Sequence, residues 1–217
     1  MVRARSVTAD TTTLLDANSD AWAAIAEERI ELDMVPLVLQ PSEYIQVKWK
    51  TVAYGQTPHV LVRAAHNQEA LFFRLHWDDP THNSVIDDAA NFPDQAGVML
   101  PIADDAPISE MGLPDQPVNM WLWRADLETP LYVTATGRGT SMRHPESPLL
   151  GSSVHEQGAW TVVIARPFNV ALESRYVVPL APGMTHKCTF AVWQGSNKER
   201  GGLKAHGPLW QPLEVES

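Results

Sequence analysis

Residues 59–77 read "HVLVRAAHNQEALFFRLHW". Two apolar runs, 59–66 and 70–77, flank the polar triplet Asn67-Gln68-Glu69. Runs of this length, rich in Val, Leu and Phe and separated by only three residues, predict two strands folded back as a hairpin. Similar stretches recur on both sides. "YIQVKWKTVA" (44–53) alternates Ile45, Val47, Trp49 and Thr51 with Gln46, Lys48 and Lys50, and so predicts a strand. Further strands are expected at 95–102, 117–123, 131–137, 159–166, 187–193 and 209–214, with Pro, Gly, Asn and Asp between them. Many short strands and 17 prolines exclude a helical bundle and predict an all-β chain, an antiparallel β-sandwich or barrel.

Helical composition is confined to "SDAWAAIAEERIEL", Ser19–Leu32, where Ser19 or Asp20 would cap. Residues 1–33 therefore read as an N-terminal extension with a short helix, and 1–217 as a single domain. "SMRHPESPLLGSS" (141–153) reads as a long surface loop.

A formal net charge of −10 argues against nucleic acid as a partner, because phosphate binding needs a basic footprint. No run of about 18 apolar residues is present to span a membrane. The opening "MVRARSVTADTTTLL" lacks an apolar stretch long enough for a secretory signal, which by itself would keep the chain in the cytoplasm. Cys188, the single cysteine, lies in the strand-like run "CTFAVW" and reads as a packed thiol. The 8 tryptophans suit either core filling or the wall of a pocket for a flat ligand.

Signatures of hydrolases, zinc proteases and phosphate-cradling loops are missing. His66, His76 and His82 lack the spacing of a ligand pair. "HWDDPTHNSVIDDAANFPD" (76–94) carries Asp78, Asp79, Asp87, Asp88 and Asp94, but not the alternating oxygens of a calcium loop, and reads as a solvated acidic loop.

Four ordered stretches are more specific: "VRAAHNQEALFFRLHW" (62–77), "DQAGVMLPI" (94–102), "VNMWLW" (118–123) and "FAVWQGSNKERGGLKAHGPLW" (190–210). Together they resemble the haem b-binding γ subunits of the ethylbenzene dehydrogenase and dimethylsulfide dehydrogenase family, over about residue 35 to the end. That family includes the corresponding subunits of chlorate and selenate reductases. The resemblance is strongest to its hydrocarbon-oxidising branch, the ethylbenzene and steroid C25 dehydrogenases.

The resemblance implies a DOMON-like haem-binding β-sandwich in which a methionine and a lysine hold the iron. The family's "GxMxP"-like strand falls on Met99, and the lysine of its "ER-x-G-x-K" loop falls on Lys204 in "ERGGLK". Lys198, Lys187, His206 and His186 compete as the nitrogen ligand, and without the family reading Met99 is a core side chain. Arg63, Arg74, Trp121 and Trp123 are candidate pocket-wall or propionate neighbours, or simply sheet packing. The lack of C-x-x-C-H excludes covalent c-type haem.

The resemblance also implies a heterotrimer. A molybdenum α subunit would hydroxylate a hydrocarbon or steroid side chain with water, and an iron–sulfur β subunit would relay the electrons. This chain would pass them to a soluble acceptor such as a cytochrome c. Molybdenum cofactor and iron–sulfur clusters would belong to the partners, and the place of work would be the periplasm, reached by export with a signal-bearing partner. The expectation from a different class is a Trp-rich carbohydrate-binding module without haem. A zinc-dependent enzyme is the third.

Overall fold

The computed structural model describes residues 1–40, 42–86, 91–103 and 105–217. In chain order its strands are β1 (Val2–Ser6), β2 (Glu28–Glu31), β3 (Asp33–Met34), β4 (His59–His66), β5 (Ala70–Asp78), β6 (Gln95–Pro101) and β7 (Val118–Arg124). There follow β8 (Leu131–Ala135), β9 (Met142–Arg143), β10 (Leu150–Glu156), β11 (Ala159–Pro167), β12 (Thr185–Trp193), β13 (Ala205–His206) and β14 (Gln211–Val215). Two short helices, α1 (Thr11–Leu15) and α2 (Glu43–Lys48), lie against them.

Eleven of these strands follow one path, β10-β11-β5-β4-β1-β14-β12-β6-β7-β8-β9, with β2 paired to β4 and β13 to β12 and β3. It folds into a sandwich because β12 serves both layers. Thr185–Cys188 pair with β14, and Thr189–Trp193 pair with β6. Side chains alternate across each strand, so Phe73 and Trp77 of one layer meet Phe190, Trp121 and Trp123 of the other. The Phe73 ring centroid lies 5.7 Å from that of Trp121, and that of Trp77 lies 6.1 Å from that of Trp123. This aromatic interior is the main core.

The predicted hairpin is present, with β4 and β5 paired antiparallel. Gln68 at its tip has φ 69°, and the Asn67 carboxamide oxygen accepts from the backbone N–H groups of Glu69 and Ala70. The expected strands at 95–102, 117–123, 159–166, 187–193 and 209–214 are also found, with shifted ends.

The sequence reading needs four corrections. Residues 44–53 do not form a strand: α2 occupies Glu43–Lys48. Ile45 and Trp49, one helical turn apart, pack with Leu37, Tyr54 and Leu203, and the i, i+4 pairing prevails over the apparent alternation. Residues 19–32 are not one helix. Ser19 does cap a turn at Asp20–Trp22, through Ala21 N–H. Glu28–Glu31 instead pair with β4, burying Ile30 while Arg29 and Glu31 turn outward. Residues 141–153 are not purely loop, since they contribute β9 and the start of β10. The region 76–94 is not a fully solvated acidic loop, because Asp79 and Asp94 are buried. Asp87 and Asp88 lie outside the described residues.

The extension is part of the sandwich. Strand β1 inserts between β4 and β14, parallel to both, whereas all other ladders among the described residues are antiparallel. From α1 to Ile25 the chain covers the outer face of β4, β5 and β11, where Leu14, Trp22 and Ile25 cluster with Phe72 and Val163.

Candidate functional site

Strand β6 sends Ala96, Val98 and Leu100 into the core. Met99 therefore points off the opposite, outer face of its layer. Its neighbours in register are Met120 on β7 and Thr189 on β12. Met99, Met111, Met120 and Trp210 pack, partly buried, around Ala106, Val118 and Ala135. The Trp210 indole N–H donates to Ala106 O at 2.9 Å, fastening the loop after β6 over this face.

Lys204 reaches the same face from the other side. Ala205 enters the core and pairs with Val192, so Lys204, one residue earlier, falls opposite Trp193 with its side chain outward. Trp193 pairs with Gln95, four positions from Met99. Two strand spacings across and four residues along put the two backbones about 16 Å apart. Between them lie Gly97 and Ala191, paired directly. A Cβ at Gly97 would meet the Trp193 ring at 3.6 Å, so that indole extends over the small floor.

The amine of Lys204 is unusual. The residue is only 9% exposed, and its Nζ lies 4.7 Å from the centroid of the Trp193 ring. Burial alone pulls its pKa down to about 8, and among the described residues no carboxylate forms an ion pair with it. An ammonium held this way is short of compensation, whereas a free amine is a good ligand for a metal.

The loop that presents Lys204 is tied down by Glu199, which is fully buried. Its carboxylate accepts from Gly55 N–H (2.6 Å), Gln194 N–H (3.0 Å) and the Asn197 side-chain amide (2.9 Å). Burial raises its pKa, and these donors pull the other way. The Trp193 N–H donates to Gly201 O, and the Gln40 amide donates to Gly202 O. Gly55, at φ 61°, passes so near the Lys204 carbonyl that a Cβ would come within 2.6 Å of it. The segment around 35–55 is thereby sewn to the lysine loop. Glu199 lay in the quoted motif, but nothing in its sequence context marked it as the anchor.

The competing nitrogen donors are placed differently. Lys198 is exposed with φ 59°, and Lys187 is half-buried on the part of β12 that pairs with β14. His186 shares the parity of Cys188, toward the core. His206 does share the outer face, opposite Ala191, half-buried and with its pKa lowered by burial and then by Lys204. Arg63 binds Glu27 and Trp22 O, and Arg74 binds Ala17 O, all beneath the N-terminal cover of the other layer. Trp121 and Trp123 sit in the core. None of these four lines the Met99–Lys204 face. Cys188 is buried, and its thiol pKa is pushed up by burial. Among the described residues no group of three His, Cys, Asp or Glu side chains is arranged to hold a metal.

The β-sandwich architecture recurs in other solved proteins. A carbohydrate-binding module of family 9 from Caldicellulosiruptor kristjanssonii, solved with glucose, superposes with a TM-score of 0.51 at 10% identity, covering 100% of this chain and 95% of that one. A putative carbohydrate-binding protein from Bacteroides uniformis gives 0.52 at 12% identity, covering 98% and 97%. At such identities the likeness concerns architecture alone.

The chain belongs to the ethylbenzene dehydrogenase family, whose model, described as "Ethylbenzene dehydrogenase", matches residues 19–148. It is 38% identical over 163 residues to the chlorate reductase subunit gamma of Ideonella dechloratans (75% of this chain, 67% of that one). A putative respiratory nitrate reductase heme subunit of Haloferax mediterranei is 38% identical over 189 residues (86% and 63%). The dimethylsulfide dehydrogenase subunit gamma of Rhodovulum sulfidophilum is 30% identical over 203 residues (90% and 73%). The chain spans about two thirds of the length of these relatives.

Proposed function

We propose that this chain is the haem b-carrying, electron-transfer γ subunit of a multisubunit molybdenum oxidoreductase, in which Met99 and Lys204 would hold the iron. The observation that carries the reading is the buried amine of Lys204, ion-paired to no carboxylate among the described residues and sharing one sheet face with the thioether of Met99. The relatives' names, gamma and heme subunits of oxidoreductases, support it.

The residues present suit the group. Thioether sulfur is a soft neutral donor, and methionine ligation raises haem potential. The bound haem would supply reversible one-electron chemistry at iron. Lys204 must bind as free amine. From a pKa of about 8, losing the proton at pH 7 costs on the order of 1 kcal/mol, against about 4–5 kcal/mol for an ordinary lysine. Burial thus meets part of the ligation cost before any metal arrives. An iron held by both Met99 and Lys204 would have no place left for substrate, which would suit relay and not bond-making. The segment around 35–55 and the Trp210-fastened loop would keep water off this face.

In the assembled reading, electrons come from an iron–sulfur subunit fed by a molybdenum subunit that hydroxylates a hydrocarbon or steroid side chain with water. They leave to a soluble acceptor such as a cytochrome c, in the periplasm. A heterotrimer follows from the same reading.

The carbohydrate-module reading draws on architecture. Sugar stacking needs open aromatic faces, yet Trp22, Trp49, Trp77, Trp121, Trp123, Trp160 and Trp193 are all buried and Trp210 is half-buried. The test is an absorbance spectrum of protein purified from haem-replete cells. A Soret band with sharp α and β bands on reduction is expected. A colourless protein that still assembles with its partners would end the proposal.

A further inference from the structure

Three carboxylates are buried around the turn that follows β5. Asp79, Asp94 and Glu199 are 1%, 0% and 0% exposed, and no ion pair among the described residues includes any of them. They feel one another: burial raises the pKa of both Asp94 and Glu199, and the charge of Asp79 adds to the rise in each. Asp94 and Glu199 are well supplied with N–H donors. Asp94 Oδ1 accepts from Gly195 N–H at 2.8 Å, and its Oδ2 from Asn83 N–H at 2.8 Å and the Trp160 indole at 3.0 Å. Glu199 has the three donors given above.

Asp79 differs. Its Oδ1 accepts from the Thr81 N–H at 3.0 Å and the Thr81 hydroxyl at 2.9 Å, but its Oδ2 is buried and meets no donor among the described residues. Four residues on, the carboxamide Oδ1 of Asn83 is buried in the same condition. The turn that carries both oxygens is held at each end. His155 Nε2 lies 2.8 Å from Asp79 O, and Asn83 O accepts from Asp94 N–H at 2.8 Å. Gly195 packs against it so closely that a Cβ there would collide with Phe92 O and come within 2.9 Å of Asn83 Cβ. A buried oxygen without a donor costs free energy, and a charged one costs more. Two such oxygens beside two further carboxylates make a place short of positive charge.

We infer that the Asp79–Asn83 turn binds calcium, with Asp79 Oδ2 and Asn83 Oδ1 as its side-chain ligands. Calcium takes carboxylate, amide and backbone oxygens together with water, in flexible geometry. Magnesium demands a near-ideal octahedron and gives up its water reluctantly, and zinc favours nitrogen and sulfur. Among the described residues no trio of His, Cys, Asp or Glu is arranged on a metal, so neutral oxygens complete the set. Asp94 and Glu199 add negative charge from behind. Because Asp94 holds Gly195 and Glu199 holds Gln194 and Gly55, a cation here braces the start of the loop that presents Lys204. The inference goes beyond the haem reading and does not depend on it.

The test is thermal unfolding of the full chain, stripped with a chelator, with calcium or magnesium titrated back at constant ionic strength. Calcium is expected to raise the unfolding midpoint in a saturable manner, as a ligand of the native state does, and magnesium at the same concentration is not. Equilibrium dialysis should return about one calcium per chain. Asp79→Asn should weaken calcium binding about tenfold or more. Asn83→Ala should weaken it as well, and decides the matter if the first variant does not fold. Asp78→Asn, at the exposed neighbouring carboxylate, should leave binding unchanged. A wild type indifferent to calcium, or one that answers magnesium equally, would overturn the inference. So would undiminished calcium binding in Asn83→Ala, which would place the ion elsewhere.

Discussion

The Nζ of Lys204 lies 4.7 Å from the centre of the Trp193 ring, and Trp193 in turn extends over Gly97, two positions before Met99 on β6. An aromatic face is a modest partner for an ammonium and no obstacle to a neutral amine. This pair links the lysine loop to the methionine strand through one indole.

Lys204→Ala is expected to abolish the six-coordinate low-spin spectrum of the haem-loaded protein. Lys198→Ala and Lys187→Ala should leave it intact, because the first side chain is exposed and the second lies on the β14-paired half of β12. Visible and electron paramagnetic resonance spectra of the three variants decide the matter. Loss with Lys198→Ala would reassign the ligand.

Met99 and Met120 sit side by side, and sequence type alone does not separate them. Met99→Ala should change the spectrum and lower the midpoint potential, since a soft sulfur donor favours the reduced metal. Met120→Ala should leave both unchanged and cost about 2 kcal/mol of stability as a packing loss. Redox titration alongside urea denaturation distinguishes the two roles.

The haem-free chain should be stabilised by alkali through Lys204. Its folded pKa, about 8, lies below the unfolded value, so the unfolded state holds more protons between the two. Stability therefore rises as pH climbs from about 8 toward about 10.4, by up to about 3 kcal/mol. Other groups titrate in this window, including buried Cys188, whose raised pKa works in the opposite sense. The measured quantity is thus wild type minus Lys204→Met in urea unfolding at each pH. A flat difference would show the amine to be solvated.

Glu199→Gln should destabilise the chain by about 2 kcal/mol, because an amide NH2 must face donors that the carboxylate accepts from. The lysine loop would loosen from Gly55, and haem should dissociate faster from the variant. A transfer assay to apomyoglobin reads that rate, and an unchanged rate would remove Glu199 from the positioning role.

Strands with a buried face on both sides were legible from composition. "ALFFRLHW" and "AWTVVIAR" carry so many apolar residues that only a covered strand accommodates them, and β5 and β11 follow. "YIQVKWK" was ambiguous in a physical sense. Ile45, Val47 and Trp49 satisfy a two-residue period, Ile45 and Trp49 alone satisfy a helical one, and docking on Leu203 selects the latter. Strand β1 gave no signal, because "VRARS" is too polar to read as part of a sheet until its neighbours are known. At the site, family resemblance pointed to Met99 and Lys204. Their shared face follows from parity on β6 and at β13, which is legible only once the register is known. The burial of Lys204 and the anchoring by Glu199 depend on contacts with residues some 145 positions away, beyond the reach of local pattern.

Strand β1 has a temporal consequence. Arg3 and Glu214 form an ion pair across 211 positions of chain, and the ladder they flank fills the middle of the sheet. All residues from β1 to β14 must be available before that seam can close. Until then β4 and β14 present raw edges, so the middle of the sheet is among the last parts of the sandwich to close.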